Sequence, residues 1–137
     1  ASMALQYAVE IRNAQLDVLE SIIGTSAVLK LRTGAAPSSC ASSDSGTVLA
    51  SMSLPSNWMA AASNGQKEKA GTWQTTNAAA SGTAEHFRLY ASDGSTCYAQ
   101  GSVSLVDGGG DLQLDNVSIT SGQTVTIEAF TLVAANS

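Results

Sequence analysis

The stretch Glu85-His86-Phe87-Arg88-Leu89-Tyr90-Ala91-Ser92-Asp93-Gly94-Ser95-Thr96-Cys97-Tyr98-Ala99-Gln100-Gly101-Ser102-Val103-Ser104-Leu105 reads as a β-hairpin. Two runs of alternating character flank Asp93-Gly94, a pair that accepts the positive φ angles of a tight type I′ turn. With those two residues at the centre, Tyr90 faces Cys97, Leu89 faces Tyr98 and Phe87 faces Gln100. One face then carries Phe87, Leu89 and Tyr98. The other carries His86, Arg88, Tyr90 and Cys97, a mixed set expected at a half-exposed surface, with His86 at the solvent edge beside Arg88.

Period two recurs on both sides of this hairpin. Leu29 and Leu31 alternate with Lys30 and Arg32 before a loop of turn-forming residues from Gly34 to Cys40. Val48, Ala50, Met52 and Leu54 alternate with small residues until Pro55, which lacks the N–H needed to continue a ladder. Between Trp58 and Gly71 no strand period is present, and an exposed excursion is expected. Val117 and Ile119 approach a turn at Ser121-Gly122-Gln123, and Val125 and Ile127 leave it. A three-residue loop would pair Ile119 with Val125 and Val117 with Ile127 on one face.

Only the first third of the chain has helical spacing. From Val9 to Ile23 the apolar residues Ile11, Ala14, Val18, Leu19, Ile22 and Ile23 recur at intervals of three and four, while Asn13, Asp17, Glu20 and Ser21 collect opposite. Gly24 suits the residue that closes a helix. The side bearing Ile11, Val18, Leu19 and Ile22 is expected to pack on the sheet or on a neighbouring subunit. One helix followed by short strands and Gly/Ser/Asp turns indicates a mainly β domain, an antiparallel β-sandwich or jelly-roll-like fold.

The chain has 137 residues, which fits one domain. Ala1 and Ser2 ahead of Met3 resemble a cloning scar, leaving 3–137 as the expected domain. Ala, Ser, Gly and Thr account for 66 residues, so the core must be thin and its few large side chains matter. Charged residues are only 12%, with a net charge of −5 and no basic run, which argues against nucleic acid as a partner. No apolar run approaches the roughly 18–20 residues that span a bilayer, and no secretion leader is recognisable, so a soluble chain is expected with no membrane partner.

Chemistry-bearing residues are few. His86 is the single histidine and no G-x-S-x-G elbow occurs, so neither a hydrolase triad nor a histidine metal site can be assembled from this chain. Asp107, Asp111 and Asp115 around Gly108-Gly109-Gly110 offer oxygen ligands for calcium, but the ligand spacing of an EF-hand and the repeats of a β-roll are missing, and a long mobile hairpin loop is the simpler expectation. Trp58 and Trp73 serve as bulk for a thin core or a subunit interface, or alternatively as a sugar-stacking platform. No catalytic residue, cofactor or metal site is expected. Cys40 and Cys97 are an even pair: bridged in an oxidising setting, the loop would be tied to the hairpin, and in a reducing one both stay thiols.

Met3-Ala4-Leu5-Gln6-Tyr7, Arg12 to Asp17, Leu54-Pro55-Ser56-Asn57-Trp58-Met59, Gly71-Thr72-Trp73, Phe87-Arg88-Leu89-Tyr90, Leu114-Asp115-Asn116, Ser121 to Thr126 and Phe130-Thr131-Leu132 stand out along the chain. Together they resemble a group of small proteins encoded by tailed bacteriophages and prophages. The resemblance spans nearly the whole chain and implies a virion structural component, such as a capsid decoration or cement protein, assembled in the bacterial host cytoplasm and carried on the virion. Its expected partners are other copies of itself, by analogy a trimer, and the major capsid protein or other virion subunits. The alternative is a tail-associated receptor- or carbohydrate-binding module. The expected contact surface combines Ile11, Val18, Leu19 and Ile22 of the helix with Trp58 and Met59.

Overall fold

A computed structural model describes residues 7–133. The expected scar at residues 1–2, the start at Met3 and the part of the resemblance carried by residues 3–6 lie outside the described residues. The chain forms α1 (Val9–Ile23), β1 (Val28–Arg32), β2 (Val48–Ser53), β3 (Gln66–Glu68), β4 (Gln74–Thr75) and β5 (Gly82–Thr83). It continues through β6 (His86–Tyr90), β7 (Cys97–Leu105), β8 (Leu112–Leu114), β9 (Ser118–Ile119) and β10 (Val125–Val133). The fold is mainly β with one N-terminal helix. Its main sheet has the order β2-β1-β6-β7-β8-β10-β3, β4 also pairs with β10, and β5 and β9 form a small separate ladder.

The helix spans the residues its spacing indicates, and Gly24 ends it at φ +86° with its N–H donated to the Glu20 carbonyl at 2.9 Å. β1 and β2 likewise fall where period two places them, paired from Val28↔Ser53 to Leu31↔Ala50. Leu29, Leu31, Ala50 and Met52 enter the core at period two, and Leu49, on the opposite face of β2, is buried as well.

The hairpin forms, with two corrections. Asp93 does not take a positive φ, so the turn is not type I′; the Gly94 N–H closes on the Ala91 carbonyl at 2.9 Å, and the Ala91 N–H on the Thr96 carbonyl at 3.0 Å. Asp93 instead ties the loop together: Oδ2 accepts the Thr96 hydroxyl at 2.6 Å, and Oδ1 accepts the Thr96 and Ser95 N–H groups at 2.9 Å. Those bonds, led by the Thr96 hydroxyl, hold its carboxyl down at about 2.

The second correction is register. Tyr90 pairs with Cys97 as expected, but the register then shifts, so that Leu89 faces Ala99 and Phe87 faces Gly101. Tyr98 is the extra residue and turns outward, 44% exposed. Gly101 is needed opposite Phe87, because a Cβ there would lie 2.8 Å from the ring and 2.7 Å from the Asp111 carboxylate.

The sheet is mixed rather than wholly antiparallel, since β7 and β8 run parallel from Val103↔Leu112 to Leu105↔Leu114. So short a link suffices because β8 begins only two residues back along β7. The glycine segment 108–110 is therefore a tight fold-back and not a mobile hairpin loop. A Cβ at Gly110 would meet the Ser104 backbone at 2.8 Å, and Asp111 accepts the Ser102 N–H at 3.1 Å.

The expected hairpin of 117–127 does not form. Ser118–Ile119 pairs with Thr83–Gly82, whereas Val125 and Thr126 pair with Thr75 and Gln74, and Ile127 with Leu114. The chain does bend at Thr120–Gln123, but segments far away in sequence supply the ladder partners, and Ile119, Val125 and Ile127 all reach the core. Nor is 58–71 an exposed excursion: Trp58 and Met59 are fully buried and β3 pairs with β10.

A row of aromatic rings fills the thin core. Trp58 and Trp73 have centroids 6.0 Å apart, Trp73 and Phe130 5.3 Å, and Phe87 meets Phe130 edge-on at 5.4 Å. Both indole N–H groups find carbonyls, Trp58 on Gly24 at 3.0 Å and Trp73 on Trp58 and Ala70 at 3.1 Å each.

Candidate functional site

The helix docks by its polar side. Asn13 accepts the Gly65 N–H at 2.8 Å and Asp17 the Ala62 N–H at 3.1 Å. The Lys67 ammonium, almost wholly buried, reaches Asp17 at 2.6 Å, Glu20 at 3.0 Å and the Ala60 carbonyl at 2.9 Å. Leu16 and Ile23 are the two apolar residues of the helix buried with them. Burial pushes against the Lys67 charge, but the Asp17 and Glu20 carboxylates more than offset it and hold its pKa above the ordinary lysine value. The carboxylate of Asp17, bonded chiefly to Lys67, is held below its usual range.

Docking in this sense turns the expected packing side outward. Ile11 is 48% exposed, Val18 48%, Leu19 39% and Ile22 60%. At about 100° per residue, Ile11, Val18 and Ile22 fall within roughly 40° of one another, with Leu19 at their flank. They form a single stripe. Its core is β-branched, a side-chain type that a solvated helix surface disfavours, and the described residues leave it about half exposed. The expected companions Trp58 and Met59 are not part of this surface, because both belong to the core beneath the helix. With Trp58 and Trp73 both at 0% exposure, neither presents a ring face to a sugar.

Lys67→Met tests the docking. Two carboxylates and the Ala60 carbonyl would lose their cation, for a loss of about 1–3 kcal/mol, reduced because Asp17 stays half exposed. Amide exchange should accelerate in α1 more than in β6.

A second cluster lies on the other side of β1, β6 and β7, where the segment 33–47 crosses the polar sheet face as a strap. Arg88, 1% exposed, donates through Nε to Gln100 at 3.0 Å, through Nη2 to the Ser39 and Ser42 carbonyls at 2.9 and 3.1 Å, and through Nη1 to Asp44 at 2.5 Å. Asp44 also pairs with Arg32 at 3.1 Å and accepts the Tyr90 hydroxyl at 2.7 Å. Partial burial would raise the Asp44 pKa, yet the Tyr90, Arg88 and Arg32 donors take it below the ordinary carboxylate value. Gln100 donates to the Pro37 carbonyl at 2.6 Å, and Glu85 accepts the Gly34 N–H at 2.6 Å.

Along β6 the mixed face of the hairpin is buried, not half-exposed, because the strap covers His86, Arg88 and Tyr90, while Cys97 stays partly exposed. His86 is 1% exposed, with Nδ1 2.6 Å from the Gly34 carbonyl, and is no solvent-edge residue. The Cys40 and Cys97 thiols meet at this cluster, Sγ to Sγ 2.7 Å, with Cys97 as donor. Burial, then the Cys40 sulfur, push the Cys97 thiol up to about 12.

Sequence reading missed this polar cluster, since Arg32, Asp44, His86 and Arg88 are scattered along the chain. The signal available was the period-two placement of Lys30, Arg32, His86 and Arg88 on one strand face. No helix among the described residues is long and apolar enough to cross a membrane. No protein family, curated protein or solved structure matches this chain.

Proposed function

We propose that this chain is a non-enzymatic structural subunit of a tailed-phage virion, a capsid decoration or cement protein, which assembles by laying its outer helix stripe against further copies of itself. The observation that carries the assembly half of this reading is the outward stripe of Ile11, Val18, Leu19 and Ile22 on a helix anchored by its polar side. A half-exposed aliphatic side chain gains roughly half of the 1.5–3 kcal/mol that full burial supplies, so four of them on each copy supply a useful share of an interface. The groups with most chemical potential, His86, Arg88 and Asp44, are engaged in holding the strap, which supports a non-catalytic role. The virion assignment rests on the sequence resemblance.

The test is to locate the chain in particles released by the host that encodes it, by electron cryomicroscopy. Regular sites on the head lattice support a cement role. Density at the tail tip would favour a receptor-binding module instead, and particles without the chain overturn the reading.

A further inference from the structure

Cys40 sits in the strap and Cys97 at the start of β7, and the fold brings their sulfurs to 2.7 Å across 57 positions of sequence. We propose that this pair is an oxidisable latch: a low-molecular-weight disulfide converts the two thiols into an intramolecular disulfide that fastens the strap across β6 and β7. The pair already lies close to bonding distance, which is about 2.05 Å. Tyr90 pairs with Cys97, so Cys97 is set by the ladder, and the Ser39 and Ser42 carbonyls on Arg88 bracket Cys40 on its loop. The two sulfurs need to close by only about 0.65 Å.

Access is provided as well. Cys40, Ser42, Asp44, Arg88, Ser95 and Cys97 line an open depression of 390 Å³, room for a small disulfide to approach the sulfurs. The exchange balances as follows. Cys40, after losing its proton, attacks one sulfur of the small disulfide, breaking that S–S bond and releasing one thiolate, which takes up a proton. Cys97 then gives up its proton and attacks the Cys40 sulfur of the mixed disulfide, releasing the second small thiol. Two protein S–H bonds are lost and one S–S bond is gained; the small disulfide receives two electrons and two protons.

The same bridge results if Cys97 makes the first attack, since the two sulfurs face each other. On the virion reading the latch closes when a particle leaves the reducing cytoplasm. The bridge itself involves no residue of the helix stripe and is tested on the isolated chain, so either idea can fail alone.

The chain is equilibrated with oxidised glutathione, alkylated with iodoacetamide in denaturant without reductant, and weighed intact. The expected product has lost two hydrogens and carries no alkyl group, and it regains two alkylation sites after reduction. Subtilisin cleavage within 33–47 should slow at least about tenfold on oxidation in the wild type. In Cys40→Ser and in Cys97→Ser it should be the same in both redox states. Two alkylated thiols after glutathione treatment, a product that stops at the glutathione adduct, or an intramolecular bridge that leaves strap cleavage unchanged would each overturn the proposal.

Discussion

Replacing Trp73 by alanine is expected to destabilise the fold by about 3–5 kcal/mol and to lower Tm by roughly 10–20 °C. Nearly half of this chain is Ala, Ser, Gly and Thr, so a cavity left by a tryptophan has few large neighbours able to collapse into it. Trp73 is fully buried, stands between Trp58 and Phe130, and its indole N–H satisfies two carbonyls. Its own carbonyl accepts the Ile127 N–H at 2.9 Å, tying the aromatic row to β10. Trp73→Phe should recover part of the loss, because it restores ring packing but leaves the Trp58 and Ala70 carbonyls without this donor. Calorimetry checks both variants. A Trp73→Ala protein within 1 kcal/mol of wild type, a figure set at about the error of such comparisons, would place the core elsewhere.

Arg88→Met should be the most damaging polar substitution, at about 3 kcal/mol. Its four hydrogen-bonded partners lie on the strap and on β7, and Asp44 keeps only Arg32 and Tyr90 when it goes. Arg88→Lys should not rescue it, since one ammonium cannot serve Gln100, two carbonyls and a carboxylate arranged around a planar fork. A pH signature accompanies the loss. The Asp44 pKa is lowered in the folded state, so its stabilisation is fully present above the unfolded value of about 3.9 and fades as pH falls through the folded one. Without Arg88 that difference shrinks, and the acid limb of the Tm–pH curve should become shallower than in wild type. A parallel pair of curves would show that Arg88 is not what holds the Asp44 charge.

Where local spacing carries the information, the chain is legible. The intervals of three and four from Val9 to Ile23, closed by Gly24, define α1, and the alternation at Leu29/Leu31 and Ala50/Met52 defines β1 and β2. The hairpin turn is legible only to its first pair, Tyr90↔Cys97, because the bulge at Tyr98 answers to Gly101, Phe87 and Asp111 packing across strands. Val117 to Ile127 fails for a related reason. Four apolar residues around a bend fit a hairpin locally, but distant β4 and β5, and β8 just upstream, outcompete the neighbouring strand for their backbone groups.

The helix is legible in its span but not in its docking, since the side bearing Ile11, Val18, Leu19 and Ile22 does not meet the sheet. An amphipathic pattern states which residues share a side and leaves open which side meets the rest of the chain. Here Lys67 and the backbone N–H groups of Ala62 and Gly65 match Asn13, Asp17 and Glu20, a complementarity invisible until β3 is placed beneath the helix. The burial of His86 and Arg88 is illegible for a similar reason: the strap of small residues that covers them has no apolar signal of its own. The thiol pair was legible as a possibility from its even count, and the fold supplies the proximity.

The most direct test of the account is the mass of the chain in solution, measured by light scattering over a concentration series. A wild-type mass of two or more times 13.9 kDa is expected, and a Val18→Glu variant that is folded, with unchanged Tm at dilution, and runs at 13.9 kDa. The variant places a charge at the middle of the exposed stripe, far round the helix from Leu16, Ile23 and Lys67, so it acts on association and leaves the docking of α1 intact. A wild-type chain that stays at 13.9 kDa at every concentration, with a mass and stability indifferent to Val18→Glu, would contradict it.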